Sequence, residues 1–154
     1  MLKKKLRRGF PKIPLLENNV IFAYLNRADS YHDVARKLFY KLKNEELTVE
    51  ISSVSLLEME LVYKSRGIEN RLLKDIAELI ALPGVKYVPL TPKIVLLSAY
   101  LRKQYNLTFF DSHYAATALS LDRKIISFDR AYERVQGLAR IDPEKYSIAH
   151  VALT

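Results

Sequence analysis

Short apolar runs alternate with longer helical segments along the chain, and this alternation constrains the fold more than any other feature. We predict strands at residues 13–16, 47–52, 85–90 and 124–128, with a possible edge strand after residue 138. The segments between them carry apolar side chains at helical spacing. Strands that alternate with helices indicate βα units and a mostly parallel sheet. The sequence therefore predicts an α/β protein built on a four- to five-stranded sheet.

Residues that favour helix starts recur between the predicted strands. Thr91-Pro92 combines an N-cap residue with proline at the first helical position. The other predicted caps and capping boxes are Asn18 and Asn19, Ser30 with Asp33, Ser55 with Glu58, Asp111 and Asp129. A side-chain cap stabilises a helix by about 1 kcal/mol. Each of these acidic residues therefore has a purely structural explanation when it is considered alone.

Length and apolar content favour one domain with its own core. The chain has 154 residues, of which 49% are hydrophobic, and this is short for two domains. Six of the first twelve residues are basic and none is acidic, so we predict a basic arm at 1–12 and a single domain at 13–154. No apolar run approaches the roughly 20 residues that cross a bilayer, and the N-terminus lacks the features of a secretory signal. We expect a cytoplasmic protein without a membrane partner.

The charge of the chain is compatible with an anionic partner, and equally with a role in solubility or adaptation to heat. Twenty-five Lys and Arg residues stand against 17 Asp and Glu residues, which gives a net charge of +8. A positive field attracts polyanions, and phosphate contacts supply most of the non-specific affinity for nucleic acids. The absence of cysteine excludes disulfides, cysteine-based zinc sites and thiol nucleophiles.

Four acidic residues follow strands or begin helices, where parallel βα units place their functional groups. Glu17 and Asp129 come directly after predicted strands, and Glu58 and Asp111 lie near helix starts. Ligands of such sheets bind outside the carboxyl ends of the strands. Carboxylates that converge there repel one another and favour a cation, and oxygen ligands suit Mg²⁺ or Mn²⁺. A metal bound there would activate water for attack on a phosphate.

The residues around these acids form a recognisable set of motifs. Leu15–Leu25 resembles the opening of PIN-domain nucleases, where an acid ends the first strand and an apolar helix follows. Ser52–Glu58 resembles the second block of that family, with its helical glutamate. Phe110–Leu119 and Lys124–Tyr132 together resemble the paired third and fourth acidic blocks, and they are the most specific part. The resemblance covers about 13–142, and it is greatest to the VapC-like group of small prokaryotic PIN proteins.

This resemblance implies a three-layer α/β/α fold and a metal-dependent endoribonuclease, commonly a homodimer that is inhibited by a cognate antitoxin. The implied catalytic residues that hold Mg²⁺ or Mn²⁺ and activate water are Glu17, Glu58, Asp111 and Asp129. Ser127 would orient Asp129 or a water ligand, and Asn19 would contact the RNA substrate or a carboxylate. The family usually has aspartate where this chain has Glu17, whose extra methylene moves the oxygens by roughly 1 Å, and such a shift can cost about 100-fold in rate.

Other functions are compatible with parts of this pattern. The same chemistry serves an RNA-processing nuclease that has no antitoxin, and the change at Glu17 is compatible with a catalytically weakened module that binds RNA or protein. A receiver-like phosphorylation domain is disfavoured because its phosphoacceptor strand and late lysine have no counterparts here. Tyr24, Tyr31 and Tyr114 could stack on unpaired bases, although packing in the core or at a subunit interface is the commoner role of such residues.

Overall fold

A five-stranded sheet in which every pairing is parallel forms the centre of the structure, a computed structural model that describes residues 12–149. The strands lie in the order β3-β2-β1-β4-β5. Their bounds are β1 (Leu15–Leu16), β2 (Val49–Ser52), β3 (Val85–Val88), β4 (Lys124–Ile126) and β5 (Ala139–Ile141). The predicted parallel sheet is confirmed, including the edge strand after residue 138. The predicted arm at 1–12 lies outside the described residues, except for Lys12.

Seven α-helices surround the sheet in the described part of the chain. They are α1 (Asn18–Leu25), α2 (His32–Lys43), α3 (Ser53–Ser65), α4 (Leu72–Ile80), α5 (Pro92–Tyr105), α6 (Phe109–Ser120) and α7 (Pro143–Ala149). Two short 3₁₀ helices, Glu69–Arg71 and Arg130–Arg134, precede α4 and follow β4. Within residues 12–149 no helix is long and apolar enough to span a bilayer.

Successive residues of each strand point to opposite faces, so the sheet separates two apolar cores. Leu16 and Ile126 pack into one core with the apolar faces of α1, α2 and α4. Their neighbours Leu15 and Ile125 pack into the other core with α5 and α6. Helices therefore cover both faces, which confirms the three-layer α/β/α fold. Helix α7 was not predicted; its Tyr146 joins the first core.

Two of the predicted helix caps are confirmed. The hydroxyl of Thr91 accepts a hydrogen bond of 3.3 Å from the backbone N–H of Ile94 at the start of α5. Asp129 caps the 3₁₀ helix that follows β4, where its Oδ1 accepts a hydrogen bond of 2.8 Å from the backbone N–H of Ala131. The acid that ends the fourth strand therefore also has a local structural role.

Four other predicted caps are wrong because each helix begins earlier or later than its pattern indicated. Helix α2 starts at His32 without a side-chain cap, so Ser30 and Asp33 do not form a capping box. Ser52, the last residue of β2, caps α3 in place of Ser55, because the strand runs directly into the helix. The caps that replace Asn18 and Asp111 are Glu17 for α1 and Thr108 for α6.

Candidate active site

The candidate site lies at the carboxyl ends of β1 and β4, in the centre of the sheet. From β1 the chain builds β2 and β3 on one side, and it later returns to build β4 and β5 on the other. Such a reversal leaves a crevice between the strands, where ligands of open α/β sheets bind. Glu17 follows β1 and its backbone N–H donates a hydrogen bond of 3.0 Å to the carbonyl of Ile126 in β4. The first acid is therefore fixed beside the end of β4.

Ser127 connects the two strand ends through its hydroxyl group. Its Oγ donates to Glu17 Oε2 at 3.0 Å and accepts from Asn19 Nδ2 at 3.0 Å. It also accepts from the backbone N–H of Asp129 at 2.9 Å. A hydroxyl offers one donor and two acceptor sites, so Ser127 uses its full hydrogen-bonding capacity. The contacts differ from the prediction in one respect, since Ser127 orients the Glu17 carboxylate and only the backbone of Asp129.

The Glu17 carboxyl group is 5% exposed and lies in an unfavourable electrostatic environment. Its pKa is raised from the ordinary 4.5 to about 8, mainly by burial and to a lesser extent by the nearby charges of Asp111 and Glu58. Hydrogen bonds from the Asn19 backbone N–H, at 3.1 Å, and from Ser127 partly oppose the rise. The same bond from Asn19 makes Glu17 the N-cap of α1. Three acids are thus close enough to interact.

A tyrosine and an asparagine hold Glu58, on α3, by one oxygen. The hydroxyl of Tyr114, from α6, and Asn18 Nδ2, at 2.8 Å, both donate to Glu58 Oε2. Tyr114 is completely buried, and this burial, together with the Glu58 charge, raises the pKa of its hydroxyl well above the usual range. Tyr114 therefore stays a proton donor to Glu58. No described residue donates a hydrogen bond to Glu58 Oε1.

A second buried tyrosine holds Asp111 in the same way. The Tyr132 hydroxyl, from the 3₁₀ helix after β4, donates to Asp111 Oδ1 at 3.2 Å. Burial raises the pKa of Tyr132 well above its ordinary value, and the charges of Glu17 and Asp111 act in the same direction. Within residues 12–149 the other oxygen, Asp111 Oδ2, receives no hydrogen bond. Two of the three acids therefore have one fixed oxygen and one open oxygen.

Asp129 lies at the edge of this group. Its side chain is exposed and caps the following 3₁₀ helix through Oδ1. Its backbone N–H is bound to Ser127, and it is not among the charges that raise the pKa of Glu17. The structure thus brings Glu17, Glu58 and Asp111 together with Ser127 and Asn19, whereas a metal-binding role for Asp129 stays a prediction.

The donor atoms present are compatible with a hard divalent cation. Within residues 12–149 no three His, Cys, Asp or Glu side chains form a ready ligand set, but Mg²⁺ needs only one or two carboxylates, because it keeps several waters. Carboxylates that bind metals are themselves hydrogen-bonded, as Glu58 and Asp111 are here. The buried amide oxygens of Asn18 and Asn19 lack a hydrogen-bond partner, and an unpaired buried acceptor costs about 1–3 kcal/mol. A cation with its waters would satisfy such oxygens.

Three residues that hold the acids were not predicted in that role: Asn18, Tyr114 and Tyr132. Tyr114 was considered for base stacking, but it is completely buried in the core. Asn18 follows Glu17 directly and was interpreted as a helix cap. Tyr114 lies three residues after Asp111 on α6, which is one helical turn. Tyr132 lies three residues after Asp129 and contacts the other acid, Asp111. Helical spacing from Asp111 could have identified Tyr114, whereas the contact of Tyr132 depends on how two elements pack.

Comparison with known proteins identifies the family. A family model for the PIN domain matches residues 15–138, which is most of the chain. This protein belongs to the PIN domain family. PIN domains are nucleases, which agrees with a group of acids at the carboxyl edge of the sheet. A comparison with curated proteins finds no match.

Solved structures with the same fold include two DNA-bound VapBC complexes and a toxin–antitoxin complex. VapBC from Salmonella typhimurium, bound to DNA, is 17% identical with a TM-score of 0.66, over 86% of this chain and 99% of that one. VapBC2 from Rickettsia felis, bound to a promoter fragment, is 16% identical with a TM-score of 0.63, over 84% and 97%. A toxin–antitoxin complex from Klebsiella pneumoniae is 20% identical with a TM-score of 0.58, over 84% and 97%. These matches and the family model confirm the resemblance to VapC-like PIN proteins.

Proposed function

We propose that this PIN-domain protein is a metal-dependent endoribonuclease, and that it is the toxin of a toxin–antitoxin pair. The main supporting observation is the buried Glu17 carboxyl group, whose pKa is raised by burial and by the neighbouring Asp111 and Glu58. Burying interacting carboxyl groups opposes folding unless they gain a compensating cation or proton. Carboxyl groups with perturbed pKa values cluster at functional sites, and this one lies at the ligand-binding crevice of the sheet.

The proposed metal ligands are Glu17, Glu58, Asp111 and Asp129, and the proposed ion is Mg²⁺ or Mn²⁺. Asp111 Oδ2 and Glu58 Oε1 are the best candidates, because each is open while its partner oxygen is fixed by a tyrosine. When bound, the ion would lower the pKa of a coordinated water and neutralise charge on the phosphate. Asp129 would join through a water or directly, since its Oδ2 receives no hydrogen bond in the described part of the chain.

The side chains of this protein would then orient the reaction and receive the proton. In hydrolysis, the oxygen of water bonds to phosphorus, the bond from phosphorus to the leaving oxygen breaks, and the water loses a proton to a base. Whichever of the two carboxylates of Asp111 and Glu58 does not coordinate the ion is available to accept it through its open oxygen. Tyr132 and Tyr114 keep these carboxylates in place, and Ser127 keeps Glu17 in place. Pre-organised groups of this kind accelerate reactions because little reorganisation remains.

RNA is the proposed substrate, and two kinds of protein partner are proposed. The net charge of +8 favours a polyanion. Because the similar solved structures include toxin–antitoxin and VapBC complexes, we propose an antitoxin partner. A short neighbouring gene that encodes a DNA-binding protein would favour a toxin over an RNA-processing nuclease without an antitoxin. We also propose a homodimer that buries the apolar face of α5, where Leu96 is 75% exposed and Tyr100 is 59% exposed.

A cleavage assay tests the proposed activity. Purified protein is incubated with RNA and Mn²⁺ or Mg²⁺, with EDTA as the blank. We expect internal cleavage by the wild-type protein, and loss of it in Asp111→Asn, which keeps size but removes the charge. Asp33→Asn, at an exposed aspartate of α2, is the matched control and should cleave normally. Absence of metal-dependent cleavage, or equal cleavage by Asp111→Asn, would refute the proposal.

A catalytically weakened binding module is the second candidate, and one observation favours it. Both oxygens of Glu17 already accept hydrogen bonds, from Asn19 and Ser127, so this acid is less available to a metal than the others. Isothermal titration calorimetry with Mn²⁺ distinguishes the two candidates. A nuclease should bind Mn²⁺ in a way that depends on Asp111, whereas a binding module should bind RNA without carboxylate-dependent binding of Mn²⁺.

A further inference from the structure

A separate pocket is lined in part by the segment that follows β4, next to the candidate active site. Its volume is about 390 Å³, which falls within the range of about 300–1,000 Å³ that is typical of ligand pockets. The residues that line it are Tyr31, Phe128, Arg130, Arg140, Asp142 and Lys145. Phe128 and Arg130 are the immediate neighbours of Asp129 in the chain. The pocket therefore begins where the acidic group ends.

Two aromatic rings form a flat platform in this pocket. Tyr31 and Phe128 are stacked, with ring centroids 4.2 Å apart and planes inclined by 18°. Phe128 is half-buried, and it supports one face of the tyrosine ring. Tyr31 nevertheless remains 51% exposed. A large aromatic side chain that is supported from behind and open to solvent is a suitable surface on which a planar group can stack.

The charges of the pocket favour an anion next to that platform. Arg130, Arg140 and Lys145 line it together with a single acid, Asp142. Arg140 already pairs with Glu133 at 2.9 Å and with Asp142 at 3.9 Å, and the exposed Arg130 pairs with Glu133 at 3.4 Å. Lys145, by contrast, is exposed and has no ion pair among the residues of 12–149. The pocket thus offers an uncompensated cation beside an aromatic face.

Arg140 contacts both this pocket and a residue of the candidate active site. Its guanidinium group is only 12% exposed and contacts the backbone of Ser127, whose side chain holds Glu17. A polymeric ligand that extends from the acids past Phe128 would therefore place its next planar group near Tyr31. The combination of a planar group and an adjacent negative charge is the chemistry of a nucleotide.

We propose that this pocket binds one unpaired nucleotide of the substrate, with its base stacked on Tyr31 and its phosphate at Lys145 and Arg130. The inference rests on the proposed ribonuclease function and adds to it a nucleotide-binding pocket beside the acids. A base in a duplex presents no free face, whereas an unpaired base stacks on aromatic side chains. Tyr31 is thus a substrate-binding residue that selects single strands next to the site of cleavage.

Fluorescence anisotropy with a short labelled single-stranded RNA tests the pocket, and EDTA keeps the RNA intact. Loss of base stacking should weaken binding by about 5- to 100-fold in Tyr31→Ala, while Tyr31→Phe keeps the ring and should bind as the wild type does. Lys145→Gln should weaken binding by a few fold and reduce the slope of log affinity against log salt by about 0.7. The matched controls are Tyr40→Ala, exposed on α2, and Lys64→Gln, exposed on α3, and they should bind normally.

Several results would overturn the pocket. One is that Tyr31→Ala and the wild type bind single-stranded RNA equally well. Another is that Tyr31→Ala weakens binding of an RNA duplex as much as binding of a single strand. A third is that poly-glutamate binds as tightly as RNA does and depends on Tyr31 in the same way. Cleavage is scored separately with Mn²⁺ present. A wild-type protein that binds RNA through Tyr31 without cleaving it refutes the proposed activity alone. If Tyr31→Ala binds and cleaves RNA normally, the proposed nucleotide pocket is refuted and the proposed ribonuclease activity is not.

Discussion

Ser127 Oγ donates a hydrogen bond of 3.0 Å to Glu17 Oε2, although 110 residues separate the two in the sequence. The contact exists because β1 and β4 pair in parallel, with Leu16 opposite Ile126. It holds the residue after one strand against the residue after the other, at the reversal point of the sheet. Ser127 therefore contributes to the site and also holds the carboxyl ends of β1 and β4 together.

Ser127→Ala should reduce both stability and activity. The change removes the donor to Glu17 and the acceptor for the N–H groups of Asn19 and Asp129. Because Ser127 is completely buried, unpaired groups left there should lower the free energy of unfolding by about 1–3 kcal/mol. Urea denaturation measures this, and cleavage rates measure the loss of orientation. Ser65→Ala, at an exposed residue whose hydroxyl binds a local carbonyl, should change neither.

The raised pKa of Glu17 should make the metal-free protein less stable as the pH rises. The folded state holds a proton on this group up to about pH 8, whereas the unfolded chain releases it near 4.5. Folding stability from this group is therefore fully present below pH 4.5 and is lost as the pH rises through 8. One pKa unit corresponds to about 1.4 kcal/mol, so the loss should be easily measured.

Thermal unfolding in EDTA between pH 5 and 8 measures this effect. The melting temperature of the wild type should fall relative to that of Glu17→Gln, in which the titrating group is absent and the other groups are unchanged. At the upper end of this pH range, Mn²⁺ should restore the melting temperature of the wild type and should raise that of Glu17→Gln less. Parallel curves for the two proteins in EDTA would contradict the pKa that we assign to Glu17.

Glu17→Asp should reduce cleavage even though aspartate is the usual residue of the family. In this chain the longer side chain reaches both the Asn19 backbone and Ser127. Aspartate would keep the cap on α1, since it is a favoured N-cap, but its oxygens would withdraw by roughly 1 Å, which can cost about 100-fold in rate. Steady-state cleavage measures the effect, with Glu60→Asp at an exposed position of α3 as control. Faster cleavage by Glu17→Asp would show that the site is a weakened form of an aspartate site.

The sequence predicted most of the fold, because its apolar runs and helical segments have distinct periods. The parallel sheet and the positions of Glu17, Glu58 and Asp111 at its edge follow from local patterns. The helix caps were less predictable, because Ser52 and Thr108 are as suitable for capping as Ser55 and Asp111, and only packing decides between them. The same holds for Tyr132, whose hydrogen bond to Asp111 joins the 3₁₀ helix after β4 to α6. The local sequence contains no signal for that contact.

Asp111 and Asp129 should contribute unequally to metal binding. Asp111 interacts with Glu17 and has an open oxygen, so Asp111→Asn should weaken Mn²⁺ binding by about 10- to 100-fold. Asp129 is exposed and acts as a cap, and asparagine caps as well as aspartate. Asp129→Asn should therefore fold normally and lose less affinity. Calorimetry with Mn²⁺ compares the two variants, and a greater loss in Asp129→Asn would reverse the order proposed here.

A charge on the exposed apolar face of α5 should dissociate the proposed homodimer. Leu96 and Tyr100 lie one turn apart and line a groove of about 820 Å³ together with Leu97 and Leu121. Exposed apolar patches of this kind mark protein contacts, and a charge buried there without a partner is strongly unfavourable. Light scattering after gel filtration should give a dimer for the wild type and a monomer for Leu96→Glu. Leu73→Glu, at a residue 83% exposed on α4, is the control and should stay dimeric. A monomeric wild type would contradict the proposed homodimer and show that the apolar face of α5 is not covered by a second copy.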